Sequence, residues 1–212
     1  MQLRPKKLTG LTRLASYVMD TRGVFTGYRP VDRRKWLDGG TPAQVVQRAV
    51  DFQQRWGGLA LPPVPAYDGG PVVLGAGHPA TAPSGDWYFE AGAVHVAVPF
   101  DFVVEPGGEF AIATHEWTAL HTTVEGWVES VALAHYASWA ARRITQLRGA
   151  EVDALDLDGF EPVPAVRGAA DTWWRGPDSV VAVWRGEADL LGDPGLSAAR
   201  VHEGVTLDGW DL

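Results

Sequence analysis

"FQQRWGGLALPP", Phe52–Pro63, closes one element and opens another. An aromatic residue followed by two glycines ends a helix. One glycine takes the left-handed backbone that closes the last turn, and the next lets the chain reverse. Upstream, "GGTPAQVVQRAVDFQQRWGGL" carries the rest of that helix. Thr41 is a plausible N-cap, and Pro42 stands at the first helical position, where its missing N–H costs nothing. Val45, Val46, Ala49, Phe52 and Trp56 recur at spacings of three and four, which makes one apolar face. Gly57 is expected at positive φ. Leu59–Leu61 then starts a strand or an extended segment.

Downstream the pattern turns to β. "PVVLGAG", "DWYFEAG" and "AVHVAVPFDFVVEPGGEFAIAT" are short β-branched and aromatic runs broken by glycine turns. "EPGGE", Glu105–Glu109, signals a hairpin turn. Thr122 and Glu125, three apart, suit a capping box. The helix they open is expected over 123–148, stopped by Gly149. Its inner stripe is Val124, Trp127, Val128, Val131, Ala134, Ser138, Ala141 and Ile144. Residues 150–170 look like a linker or irregular strand. At least two more strands are expected in the tail, at Ser179–Arg185 and Ala199–Gly204. Residues 1–40 read as extended, with a short strand over Ser16–Met19. Strands in runs, not alternating with helices, argue for an α+β fold with an antiparallel or mixed sheet packed against helices and extra C-terminal strands. The expected organisation is a basic N-terminal arm over 1–40, an α+β core over 41–150, and a C-terminal extension over 151–212 packed on the same domain.

Composition narrows the function classes. The absence of cysteine excludes disulfides, thiolate catalysis and cysteine-ligated metal, and suits a reducing cytoplasm. No stretch approaches the roughly 20 apolar residues of a membrane span, and no apolar run follows the first lysines. Net charge is −8 and uneven. Residues 1–35 hold nine Lys/Arg against Asp20 and Asp32, a balance of +7, so residues 36–212 carry −15. An acidic body repels nucleic acid and suits a basic partner. The basic arm lacks a compact run, which favours a neutralising arm folded onto the body over a phosphate-binding one.

Local motifs give no reaction. "LGAGHPA", Leu74–Ala80, has G-x-G-x-x-A after an apolar strand, but Pro79 and Pro83 forbid the helix that a dinucleotide site needs. "DALDLDG", Asp153–Gly159, places Asp156, Asp158 and Gly159 as in a calcium loop, yet Ala154 and Ala165 hold the first and last ligand positions. "HEWTALH" sets His115 and His121 six apart around Glu116, the wrong spacing for zinc on a helix. There is no G-x-S-x-G and no P-loop. No catalytic, cofactor or metal residue is assigned.

The ten tryptophans point elsewhere. Trp173 and Trp174 are adjacent, so in a strand they face opposite sides. W-R-G recurs at 174–176 and 184–186, two strand ends where arginine can stack on indole. Tryptophan and arginine are favoured interface anchors, although core packing accounts for most buried indoles. Asp86, Trp87, Glu90, Trp173, Trp174 and Arg175 are the candidate partner-binding residues.

Several of these stretches together resemble the SUKH (SMI1/KNR4) superfamily. The matching residues are Phe52, Trp56, Gly57, Gly58 and Leu59, then Leu74 and Gly75, then Thr122, Val124 and Trp127. The resemblance spans roughly residues 41–140; the N-terminal arm and the tail after 150 depart from it. It implies a bacterial immunity protein that binds and blocks a cognate toxin, often a nuclease, or another basic protein, with no catalytic residues and no cofactor. The competing readings are a small-ligand-binding protein or enzyme with a pocket lined by Trp, His and Glu, and a DNA-associated regulator using the basic arm.

Overall fold

Thr12 accepts a hydrogen bond from the Ala15 amide, and a helix runs from Arg13 to Arg22 (α1). The computed structural model describes residues 8–94 and 98–212. Arg4, Lys6 and Lys7 of the basic arm, and residues 95–97 of the run read as strand, lie outside them. The expectation of an extended segment with a strand over Ser16–Met19 is corrected here. Leu14, Ala15, Val18 and Met19 are all buried, at helical spacing, against a later helix. The tie that fixes this packing is distant in sequence. Thr12 donates through both its amide and its hydroxyl to the Glu129 carboxylate, each at 2.7 Å.

Val24–Phe25 (β1) follows, then a short helix over Arg33–Asp38 (α2), whose N-cap Asp32 accepts from the Lys35 amide. The helix over Ala43–Trp56 (α3) forms as its spacing requires, with Val45, Val46, Ala49, Phe52 and Trp56 buried. Two details of its ends differ from expectation. Pro42 is the capping residue, and Thr41 lies buried one step before it. Gly57 has φ −55°, and the left-handed residue is Gly58, at φ +83°. Gly58 is held between strands: its amide donates to Leu74 and its carbonyl accepts from Thr26. The sharp reversal therefore falls where the chain meets both neighbours, one residue later than a simple helix stop places it. Leu59–Ala60 (β2) then pairs antiparallel with β1.

Pro71–Leu74 (β3), Pro79–Thr81 (β4), Trp87–Glu90 (β5), Gly92–Val94 (β6), Asp101–Val104 (β7), Phe110–Ala113 (β8) and Trp117–His121 (β9) make up the β-rich middle. β3 pairs with β6, and the others form one antiparallel sheet in the order β4-β5-β7-β8-β9. The β7–β8 connection is the expected "EPGGE" turn, with Gly108 at φ +103°.

The helix over Val124–Ala140 (α4) is capped by Thr123, which accepts from the Gly126 amide. Thr122 is not the cap, and Glu125 instead pairs with Arg55 at 2.7 Å. α4 also ends sooner than expected. The chain turns extended at Ala141 and Arg143–Arg148 becomes a strand (β10), so Ser138 and Ile144 are exposed, not on an inner stripe. Pairing decides this: all six β10 residues register against a final strand, Ala198–Glu203.

Ala150–Asp153 (α5), Glu161–Pro162 (β11), Thr172–Gly176 (β12), Ser179–Trp184 (β13), Gly186–Leu191 (α6) and Ala198–Glu203 (β14) complete the chain. The second sheet has the order β10-β14-β13-β12-β11 and is antiparallel throughout. The fold is α+β with antiparallel sheets. One continuous core joins Leu14 and Val18 of α1, Phe52 and Trp56 of α3, Phe89, Phe102 and Phe110 of the first sheet, Trp127 of α4, and Trp173 and Trp184 of the second sheet. Trp127 is at its centre, stacked on Phe110 with centroids 4.8 Å apart. Among the described residues no helix is long and apolar enough to cross a membrane.

Candidate protein-binding face

Strand alternation sorts the first sheet into two faces. Phe89, Phe102, Val104, Phe110 and Ile112 point into the core. Register places Glu90 opposite Val103, Val103 opposite Ala111, Asp101 opposite Ala113, and Ala113 opposite Trp117. Those side chains, with Tyr88 and Glu105 two positions along their strands, share the outer face. Val103, Ala111 and Ala113 form a small apolar floor, and Tyr88 and Trp117 pack over it edge to face, 5.7 Å apart. A shallow pocket of about 240 Å³ opens beside Trp117, lined by Ala82, Pro83, Ser84 and Glu116.

Carboxylates surround this aromatic pair. Burial, and then the neighbouring Glu90, hold Asp101 above its ordinary value. Burial and then Glu109 push Glu105 up to about 7. The Tyr88 hydroxyl is raised as well, by burial and by Asp101 and Glu90. Burial is the larger cause of each shift and the neighbouring carboxylates add to it, while a hydrogen bond from Trp117 partly offsets it at Glu105. Among the described residues no Lys or Arg side chain forms an ion pair with Glu90, Asp101, Glu105 or Glu109. His78 approaches Glu90, with Nδ1 3.4 Å from the carboxylate. Arg48 reaches Glu105 only at its backbone carbonyl.

The six candidate residues divide between two sheets. Glu90 is on the acidic face and Asp86 is exposed in the β4–β5 turn. Trp87 alternates to the core side and packs there with Phe89, so the aromatic partner of Glu90 is Tyr88. Trp173 is buried in the second sheet, where its Nε1–H donates to Ser130 and its ring stacks on His202. Trp174 faces the other way, half-buried in a smaller cluster with Leu155, Leu157 and Phe160. Arg175 pairs with Glu161 at 2.7 Å, and Arg185 with Asp153 at 2.8 Å, so neither stacks on its neighbouring indole. Among the described residues, Arg55 is the cation found over an indole, 4.8 Å from the Trp56 ring. Tyr88, Asp101, Glu105, Glu109 and Trp117 were not singled out from sequence. Their signal is parity: in "DWYFE" Trp87 and Phe89 share one side, and Tyr88 and Glu90 the other.

No family model, curated protein or solved structure matches this chain. What the molecule can do rests on its own residues.

Two further titratable groups lie fully buried away from this face. His121 is fully buried, and its Nδ1–H donates to the Val166 carbonyl; burial pushes it down to about 4, so it is neutral. His115 is exposed in the turn before β9, so "HEWTALH" brings no ligand pair together. Among the described residues no three His, Asp or Glu side chains converge as metal ligands do. Asp171 is also fully buried. It accepts from the Tyr67 hydroxyl and from the Arg185 and Gly186 amides, and burial pushes its carboxyl up to about 7. This network ties the loop before β3 to the second sheet and to the start of α6.

Proposed function

We propose that this chain is a non-catalytic protein-binding module of SUKH type, a cytoplasmic bacterial immunity protein that neutralises a cognate basic toxin, with a nuclease as the expected kind. The observation that carries the reading is the outer face of the first sheet. Glu90, Asp101, Glu105 and Glu109 share the side of the sheet that carries Tyr88 and Trp117, and among the described residues no Lys or Arg pairs with them. A nuclease groove is basic because its substrate is a polyanion. An acidic face with an aromatic centre matches such a groove in charge, and supplies the rigid anchors on which interfaces depend. The −15 balance of residues 36–212 extends the same field and speeds encounter.

Co-expression tests this directly. A host carrying an inducible copy of the toxin gene adjacent to this one should stop growing, and the present protein should restore growth. The variant Glu90→Gln/Asp101→Asn/Glu109→Gln should restore it poorly while accumulating to the same level. Full rescue by that variant, or no rescue by the wild type, would overturn the reading.

A further inference from the structure

A second surface differs in chemistry from the acidic sheet and is built from other elements. The last turns of α1 and α4 and the C-terminal segment enclose a half-open groove of about 490 Å³. Its walls are aromatic. Tyr17 lies 6.2 Å from Trp210, Trp210 meets Tyr136 edge to face at 5.6 Å, and Tyr136 lies 6.4 Å from Trp139. Val18 forms part of the floor and is 2% exposed, whereas Trp139 on the rim is 79% exposed. An indole so exposed forfeits much of the burial that normally stabilises it.

The polar groups at the groove are cationic or neutral. Arg22 and His135 line it with Thr21, and none of the lining residues is acidic. Among the described residues Arg22 takes part in no ion pair. His135 is held below its ordinary value by burial and by the Arg22 charge, which leaves the guanidinium as the cation of the site. The guanidinium would repel a cationic ligand entering this aromatic groove, so the charge selects an anion. The volume falls within the range of small-molecule sites, roughly 300–1,000 Å³, and a few polar groups on an apolar lining are what fixes a ligand's orientation there.

We infer that this groove binds a small planar aromatic carboxylate, with its ring between Tyr17, Trp139 and Trp210 and its carboxylate on Arg22. The guanidinium fork matches a carboxylate in geometry as well as charge. This inference does not depend on the acidic face or on the toxin reading.

The test uses the full chain and two probes of equal size, 2-naphthoate and the neutral 2-naphthylmethanol, titrated calorimetrically. The carboxylate should saturate the wild type at one site and bind about tenfold tighter than the alcohol. Arg22→Gln should remove that preference, bringing the two probes together. Trp139→Ala should weaken both by about tenfold, through the lost ring contact. Both side chains are exposed, so the variants retain the fold. Equal affinity of the two probes for the wild type, no saturation at millimolar concentration, or unchanged affinity in either variant would overturn the assignment.

Discussion

Replacing Asp171 with asparagine isolates the cost of ionising a fully buried carboxyl group. The carboxylate is 0% exposed and receives the Tyr67 hydroxyl at 2.7 Å, the Arg185 amide at 3.1 Å and the Gly186 amide at 3.3 Å. These three donors favour the anion, but burial outweighs them and raises the group from 3.8 to about 7. The folded state therefore holds this proton more tightly than the unfolded chain does. The resulting stability is fully present below pH ~4 and is lost as pH rises to ~7. Three units at roughly 1.4 kcal/mol each amount to about 4 kcal/mol. Asparagine keeps an acceptor for the two amides and never ionises. Urea unfolding from pH 4.5 to 8 should show wild type and Asp171→Asn converging at the acid end, with the variant gaining relative stability toward pH 8. The comparison must be with the variant, because His121 works in the opposite sense. Its depressed value, about 4, adds stability above pH ~6.5 that is lost as pH falls through 4. A wild type and variant that differ by the same amount, within ~1 kcal/mol, at every pH would refute the reasoning.

Other consequences can be checked separately. Gly58→Ala should cost about 2 kcal/mol or more in denaturant unfolding, because φ is +83° and an added Cβ would strike the Thr26 carbonyl. Gly57→Ala should also destabilise, but by contact with the Gln53 carbonyl and side chain, since its φ is negative. Trp127→Ala should cost roughly 3–5 kcal/mol. Trp127→Phe should cost less, because among the described residues the buried indole N–H has no acceptor to lose. Glu105 stands at about 7, so a cationic partner that draws it down should bind more weakly at pH 6 than at pH 8. Calorimetry near pH 6.5 in buffers of differing ionisation enthalpy should then detect proton release on binding, and Glu105→Gln should abolish it.

The sequence made α3 legible because one stretch carried every signal: a proline near the start, an apolar face and a double glycine at the end. The "EPGGE" turn and the tail strands were legible for similar local reasons. α1 was not. Its apolar residues have helical spacing, but the helix is short and polar-flanked, and its N-terminus is secured by Glu129, 117 residues away. The end of α4 was equally hidden. Good helix formers continue through Ala141 and Arg142, and only pairing with β14 turns Arg143–Arg148 into a strand. At the candidate site, Glu90 was readable as a surface carboxylate. The face around it was not: the "EPGGE" turn sets Glu105 beside Glu109, but no local pattern reveals the register that brings Asp101, Trp117 and Tyr88 to the same side. Trp87 is a candidate because tryptophan is a favoured interface anchor, but alternation turns it toward the core, where it is partly buried.

Association kinetics with the proposed partner, a basic toxin sought as the product of the neighbouring gene, test the central claim most directly. Surface-immobilised toxin should bind the wild type with an association rate that falls steeply as salt rises, since opposite charges steer encounter. Glu90→Gln/Asp101→Asn/Glu109→Gln should lower that rate and flatten its salt dependence. Trp117→Ala should act mainly on dissociation. An association rate indifferent to both salt and the three carboxylates, or no binding at micromolar concentration, would contradict the account.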